Sequence, residues 1–189
     1  MRKLSTLRVF SNWCAASVIG LIGTTDVLQA QIYLHDFGAT AISAHPYTVA
    51  PGTFDANLSN SSWSNSIGAW TSFAGATGQA ISLSNSSGTP TITLTFDVGD
   101  GYECSVTAFN LWTRRSATGA QNWSMTINGI AVGSGSVSTG GAATGSTAVS
   151  NAVNNQTGTM TVILSLSGAT GTGTFRLDNF ELTGSVTPT

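Results

Sequence analysis

The chain has 189 residues, and only 7% of them are Asp, Glu, Lys or Arg, against about 25% in a typical globular domain. Its six basic residues are too few for nucleic-acid binding or a polybasic membrane patch, because affinity for phosphate comes from clustered Lys and Arg. Five tryptophans and 41% apolar residues exclude a disordered chain.

The first thirty residues have the parts of a secretory signal peptide. Three basic residues fall within the first eight positions, a short apolar stretch spans 13–22, and Ala30 is a small residue suited to cleavage before Gln31. The apolar stretch is shorter than the roughly 20 residues that a membrane helix needs. The sequence therefore predicts a signal peptide at 1–30, one domain at 31–189, and a secreted or cell-surface protein. That domain keeps three arginines, no lysine and a net charge of −4.

Beyond residue 31, apolar and polar residues alternate with a period of two, which is typical of half-buried strands. In the clearest case, segment 90–98, apolar residues occupy every second position between threonines. Asn128-Gly129 predicts a type I′ turn between two strands. Many short strands separated by Gly, Ser, Thr and Asn predict an all-β fold, an antiparallel β-sandwich of jelly-roll type. About nine or ten strands are expected, near 32–37, 66–73, 79–85, 90–98, 103–113, 121–128, 130–138, 145–151, 157–167 and 173–184.

In the last of these strands the alternation of apolar and polar residues shifts by one position. Phe175 and Leu177 share one parity, whereas Phe180 and Leu182 share the other. A β-bulge at Asp178-Asn179 would turn both apolar pairs inward. Bulges often lie beside functional sites, so the sequence marks this position for attention.

Groups suited to acid–base catalysis are scarce after residue 31. A glycosidase needs two carboxylates across a cleft, and the conceivable pairs are Glu103 with Glu181 or with Asp100. Acids at strand ends are usually solvated, so the sequence predicts a protein that is not an enzyme. The single cysteine of this region, Cys104, is interpreted as a small buried residue rather than as a link between chains. His35 and His45 are interpreted as surface or turn residues.

Sugar binding requires aromatic faces together with a few polar groups that orient the ligand. The region 45–72 is polar and irregular, as expected of a binding loop. For Trp63, flanked by serines and an asparagine, exposure and burial are equally compatible with the sequence. The candidate ligand-binding residues are Tyr47, Trp63, Trp70, Trp112, Arg114 and Arg115.

A structural role is the alternative. Outward rows of threonine suit a neutral β-surface, and a domain without lysine leaves its edge strands poorly protected against pairing. A subunit of a surface layer or an extracellular matrix would use both properties.

Three segments resemble a known group of domains: His35-Asp36-Phe37-Gly38, the run 114–119 with the following Trp123 and Asn128-Gly129, and the closing run 173–184. Together they resemble the jelly-roll domains of secreted bacterial surface proteins and, more distantly, β-sandwich carbohydrate-binding modules. The resemblance implies polysaccharide or other cell-surface components as partners.

The resemblance also implies a structural calcium ion that ties the first strand to the last. The matching carboxylates are Asp36 and Asp178, and Asn179 would add an oxygen. The residues by themselves allow another interpretation, in which Asp36 caps a turn and Asp178 pairs with Arg115 or Arg176.

Overall fold

A computed structural model of the chain describes residues 29–189, so the predicted signal peptide up to residue 28 lies outside the described residues. In the described part every regular element is a β-strand. No helix long and apolar enough to cross a membrane occurs within residues 29–189. The strands are β1 (Ala30–His35), β2 (Thr53–Phe54), β3 (Leu58–Asn65), β4 (Phe73–Ala74), β5 (Gln79–Leu83), β6 (Thr91–Val98), β7 (Tyr102–Arg115), β8 (Asn122–Ile127), β9 (Ile130–Ser136), β10 (Ala142–Ala143), β11 (Thr147–Gln156), β12 (Thr159–Ser167) and β13 (Phe175–Pro188).

The strands form two antiparallel sheets. The eight-stranded sheet has the order β10-β7-β13-β1-β2, with β11 also pairing with β7, and with β5 and then β4 continuing from β13. The five-stranded sheet has the order β3-β6-β12-β8-β9. The inward faces of both sheets contribute to one hydrophobic core. This arrangement confirms the predicted antiparallel β-sandwich, with more strands than expected.

Alternation along the strands builds this core. In β6 the apolar residues Ile92, Leu94, Phe96 and Val98 are buried, whereas the threonines between them are partly exposed. The same alternation holds in β12. Asn128 and Gly129 have φ angles of 48° and 79°, as the predicted turn between β8 and β9 requires.

One predicted strand is misplaced. The sequence predicted a strand at 66–73, but the chain forms β3 at Leu58–Asn65 and only the two-residue β4 after it. Strand β3 lies at the edge of its sheet, and its sequence is almost entirely polar apart from Leu58 and Trp63. Such a strand gives a weak alternation signal, and the two-residue strands β2, β4 and β10 are too short to give any.

Strand β13 contains the predicted bulge. The pairing of β13 with β7 shifts register between Asp178 and Glu181, and Asn179 has a φ of 45°. Phe175, Leu177, Phe180 and Leu182 are consequently all buried. The bulge allows one long strand to keep two apolar pairs of opposite parity in the core.

Candidate functional site

Three of the four aromatic candidates belong to the core. Tyr47, Trp63 and Trp70 are 8%, 2% and 6% exposed, so none of them presents a ring face to solvent. The polar neighbours of Trp63 had left its exposure open. Ser62 and Ser64 are the outward residues of β3, and the alternation that exposes them turns Trp63 inward.

A hydrogen-bonded cluster fixes Trp63. Its Nε1 donates to Tyr33 Oη at 2.8 Å, and that hydroxyl shares a second hydrogen bond of 2.8 Å with Ser61 Oγ. The ring packs edge-on against Phe180 at 5.1 Å. Burial raises the pKa of the Tyr33 phenol far above its usual value. This cluster stabilises the sandwich and leaves Trp63 no free polar atom for a ligand.

Tyr47 lies in the loop that follows β1. Its backbone forms an isolated antiparallel bridge with Trp63, and its ring packs against His35 at 5.4 Å. The loop, residues 37–49, lines a cavity of about 430 Å³. The exposed Val49 is one of the residues that line this cavity. The rest of the lining consists mostly of small side chains and backbone, with no charged group.

His35 is the residue that holds this loop, and the interpretation of it as a surface histidine is wrong. The ring is 2% exposed. Its Nδ1 accepts the Phe37 N–H at 3.0 Å, which leaves Nε2–H to donate to the Val49 carbonyl at 3.0 Å. Both ends of the loop are therefore tied to one neutral imidazole.

The outward side of the eight-stranded sheet carries the remaining aromatic candidate. Cross-strand pairing places Arg114 of β7 opposite Arg176 of β13, and Arg176 opposite Ser82 of β5. The next row contains Trp112, the buried Asp178 opposite it and, three strands from Trp112, Phe73 of β4. We call the surface formed by Phe73, Trp112, Arg114 and Arg176 the arginine face.

All four side chains of the arginine face are partly exposed. The Arg176 guanidinium lies over the Phe73 ring at 4.6 Å from its centre, and Arg176 Nη1 donates to the Ala74 carbonyl at 3.1 Å. Arg114 Nε donates to the Thr139 carbonyl at 3.0 Å. These contacts hold both guanidinium groups in place on the surface.

Trp112 packs beside the chain that leads into β10. A Cβ at Gly141 would overlap the Trp112 indole, so only glycine permits the backbone to approach the ring this closely. The indole is thereby supported on one side while remaining partly open to solvent. A supported, partly exposed ring is the form in which tryptophan serves a binding surface.

Arg115 points away from this surface. Its partner in β13 is the buried Phe175, and its guanidinium donates to the carbonyls of Val137, Ser116 and Ala117. Arg115 therefore fastens the loops at the end of the sandwich. The sequence grouped it with Arg114 because the two are adjacent, but adjacent residues of a strand face opposite sides.

Phe73 and Arg176 were not predicted as site residues. Arg176 was considered only as a partner for Asp178, and Phe73 was assigned to a strand that is misplaced. No signal within either segment brings them to Trp112, because their proximity depends on the register of four strands.

Asp178 neither pairs with an arginine nor presents its carboxylate to solvent. It is fully buried beneath the turn between β4 and β5, where a Cβ at Gly75 would overlap it. Its Oδ2 accepts the N–H groups of Ala76 at 2.7 Å and Thr77 at 3.4 Å, and its Oδ1 accepts the Asn179 N–H at 2.8 Å. Burial is the largest influence on this carboxyl and raises its pKa, against the lowering effect of these hydrogen bonds.

The peptide N–H groups around Asp178 affect whether the expected calcium ion can bind there. Asp36 lies close enough to raise the pKa of Asp178 further, but its own Oδ1 accepts the Gly38 N–H at 3.2 Å. Peptide N–H groups thus face both carboxylates, whereas calcium requires a shell of six to eight oxygens. Within residues 29–189 no group of three or more His, Cys, Asp or Glu side chains could hold a metal ion. The donor set around Asp36, Asp178 and Asn179 does not fit calcium.

The two glutamates lie far apart. Glu181 pairs with Asn110 of β7, and Glu103 lies seven residues before Asn110 on the same strand. At about 3.3 Å per residue this separates them by roughly 20 Å. Paired carboxylates of glycosidases lie about 5–9.5 Å apart, so this pair does not form such a site.

Comparisons with known proteins give no matching family model and no matching curated protein. Solved structures do match. The CBM36-1 domain of a multidomain xylanase from the hindgut metagenome of Trinervitermes trinervoides is 14% identical, with 84% of this chain and 97% of that chain covered and a TM-score of 0.38. The family 11 carbohydrate-binding module of cellulosomal cellulase Lic26A-Cel5E of Clostridium thermocellum is 12% identical, with 84% and 96% covered and a TM-score of 0.43.

A third match is a carbohydrate-binding module CBM36 in complex with calcium and xylotriose. It is 17% identical, with 82% of this chain and 97% of that chain covered and a TM-score of 0.37. All three of these structures are described as carbohydrate-binding modules or domains of that kind.

Proposed function

We propose that residues 31–189 form a secreted, non-catalytic binding module for extracellular polysaccharide, and that the arginine face is its contact surface. The observation that carries the proposal is the position of Trp112. Among the four aromatic residues singled out in the sequence, it alone has a partly exposed side chain. It shares its face with a second aromatic ring and two guanidinium groups.

The chemistry of this surface suits a sugar polymer. A ring such as Trp112 covers the apolar side of a pyranose, and guanidinium N–H groups donate to its oxygens. Tryptophan and arginine are also the residues that contribute most to binding at protein surfaces. The surface is open rather than a deep pocket, so it would contact a stretch of an extended chain.

Secretion is the second part of the proposal and rests on the signal-like segment 1–30. A binding module outside the cell would attach its carrier to polysaccharide or to another cell-surface component. Such adhesion requires neither an acid–base pair nor a metal ion.

The test is a binding assay on a panel of insoluble and soluble polysaccharides. We expect Trp112→Ala to weaken binding at least about tenfold, the effect of losing one important aromatic contact. Thr126→Ala is the matched control because Thr126 lies on the outward side of the five-stranded sheet. Thermal unfolding of both variants verifies that they fold.

A structural subunit of a surface layer or matrix is the second candidate, favoured by the edge strand β3, which in the described structure has no neighbouring strand on its outer side apart from the single bridge between Trp63 and Tyr47. This strand ends the five-stranded sheet and contains no charged residue. Exposed edges without charge are prone to pair with other chains. Failure to bind any polysaccharide, together with concentration-dependent assembly in sedimentation, would favour this candidate over the binding module.

A further inference from the structure

The two arginines of the arginine face form an unusual pair. Arg114 and Arg176 occupy directly opposed positions on neighbouring strands, on the same side of the sheet. Like charges placed opposite each other destabilise a sheet. Outside the predicted signal peptide the chain has only three basic residues, and this pair accounts for two of them.

Within residues 29–189 no carboxylate forms an ion pair with either arginine. Asp178 lies nearby on β13, but its oxygens accept three peptide N–H groups. Burial lowers the pKa of the Arg176 guanidinium, and the positive charge of Arg114 lowers it further. A surface with two adjacent uncompensated cations has a local positive potential, although the domain as a whole is acidic.

Hydrogen-bond donors remain available on both guanidinium groups. Within residues 29–189, Arg114 uses only Nε in its bond to Thr139, and Arg176 uses only Nη1 in its bond to Ala74. Arg176 Nε is buried without a hydrogen-bond partner in the described structure. The remaining Nη groups of a guanidinium are the donors that form the paired hydrogen bonds to a carboxylate.

We propose, building on the polysaccharide-binding function above, that the arginine face selects an acidic polysaccharide. The Arg114–Arg176 pair binds the carboxylate of a uronate unit of that polymer. Trp112 lies two residues from Arg114 on β7, so a sugar ring next to the uronate meets its indole. The carboxylate supplies the negative charge that the protein does not place between its two arginines. Planar guanidinium groups match this planar ligand better than lysines would.

The experiment compares two polymers that differ only in the carboxyl group. Calorimetric titration of the purified protein uses oligogalacturonate and the same oligosaccharide after chemical reduction of its carboxyl groups to alcohols. We expect binding of the acidic form and at least about tenfold weaker binding of the reduced form, since a charge-assisted hydrogen bond contributes more than a neutral one. The affinity for the acidic form should also fall with rising salt.

Single substitutions then test whether Arg114 and Arg176 cause the preference for the acidic form. Arg114→Gln and Arg176→Gln should each weaken binding of oligogalacturonate about tenfold or more. Thr126→Glu lowers the net charge by the same amount on the opposite sheet, and it should leave binding nearly unchanged. Thermal unfolding shows whether each variant is folded, and the two arginine variants provide independent tests if one of them is not.

Three results would overturn the inference in distinguishable ways. Equal binding of the acidic and reduced forms, weakened by Trp112→Ala, would leave a polysaccharide-binding module without selection for acid. Equal or tighter binding of dextran sulfate, again dependent on both arginines, would replace carboxylate selection by general recognition of anions. Absence of binding to any saccharide would overturn the proposed function as well.

Discussion

At the scale of single residues, burial sets the chemistry of the ionisable side chains. Cys104 is buried, as the sequence predicted, and burial raises the pKa of its thiol to about 12. The His35 ring is buried as well, with hydrogen bonds at both of its nitrogens.

The burial of His35 predicts a loss of stability in acid. Burial lowers the pKa of its imidazole below the usual 6.5, although the Asp36 carboxylate acts in the opposite direction. The unfolded chain therefore takes up this proton more readily than the folded one. The stabilising contribution is complete above about pH 6.5 and is lost as the pH falls through the lower folded-state pKa.

The measurement is the melting temperature between pH 7.5 and 4.5. We expect His35→Gln, which can neither protonate nor reproduce both loop contacts, to melt lower at pH 7.5 and to show a shallower further decrease in acid. His45→Gln is the matched control, because His45 is less buried and His35 remains intact in that variant. An identical pH profile for parent and His35→Gln would contradict the assignment.

From the hydrogen bonds of the Asp178 carboxylate we expect calcium to leave the melting temperature of the protein unchanged. The carboxylate oxygens already accept peptide N–H groups, so added calcium has to displace these donors. We expect the same melting temperature, within one degree or so, in excess calcium and in EDTA. A clear increase in calcium that is absent from Asp178→Asn would instead support the calcium site implied by the sequence resemblance.

At the scale of elements, strands with regular alternation were predictable and edge strands were not. Strand β12 and the hairpin of β8 and β9 lie where the sequence placed them. The bulge of β13 was visible because two apolar pairs changed parity across Asp178-Asn179. The arginine face was only partly predictable, since Trp112 and Arg114 follow from one strand but Arg176 and Phe73 require the strand order.

The bulge depends on a left-handed residue at Asn179. With a φ of 45°, asparagine tolerates this conformation, whereas a β-branched residue does not. We expect Asn179→Val to lower the free energy of unfolding by about 1–2 kcal/mol and Asn179→Gly to change it little. Urea denaturation measures both, and Ser185→Val, at a position of the same strand that pairs with Ser105, controls for β-propensity. Equal stability of the two Asn179 variants would show that the bulge does not require this conformation.

At the scale of the whole molecule, the fold gathers the few charged residues at particular places. The charged residues between 29 and 189 are not spread evenly over the described surface. Asp178 is enclosed by peptide donors, Arg115 binds loop carbonyls, and Arg114 and Arg176 form a pair on one face. The outward side of the five-stranded sheet, in contrast, consists mainly of serine and threonine. The two sides of the sandwich therefore differ in chemistry.

Export is the prediction that concerns the whole chain. Ala30 pairs with Gly184 at the start of β1, so cleavage before Gln31 would remove one residue of that strand and leave its remaining pairs with β13 intact. We expect bacterial cells that express the full chain to release or display a protein whose N-terminal residue is Gln31, as mass spectrometry of the exported fraction would show. The matched control expresses 31–189 with only an initiator methionine and should remain inside the cell. Retention of the full chain with residues 1–30 uncleaved would contradict both the signal peptide and the extracellular role that depends on it.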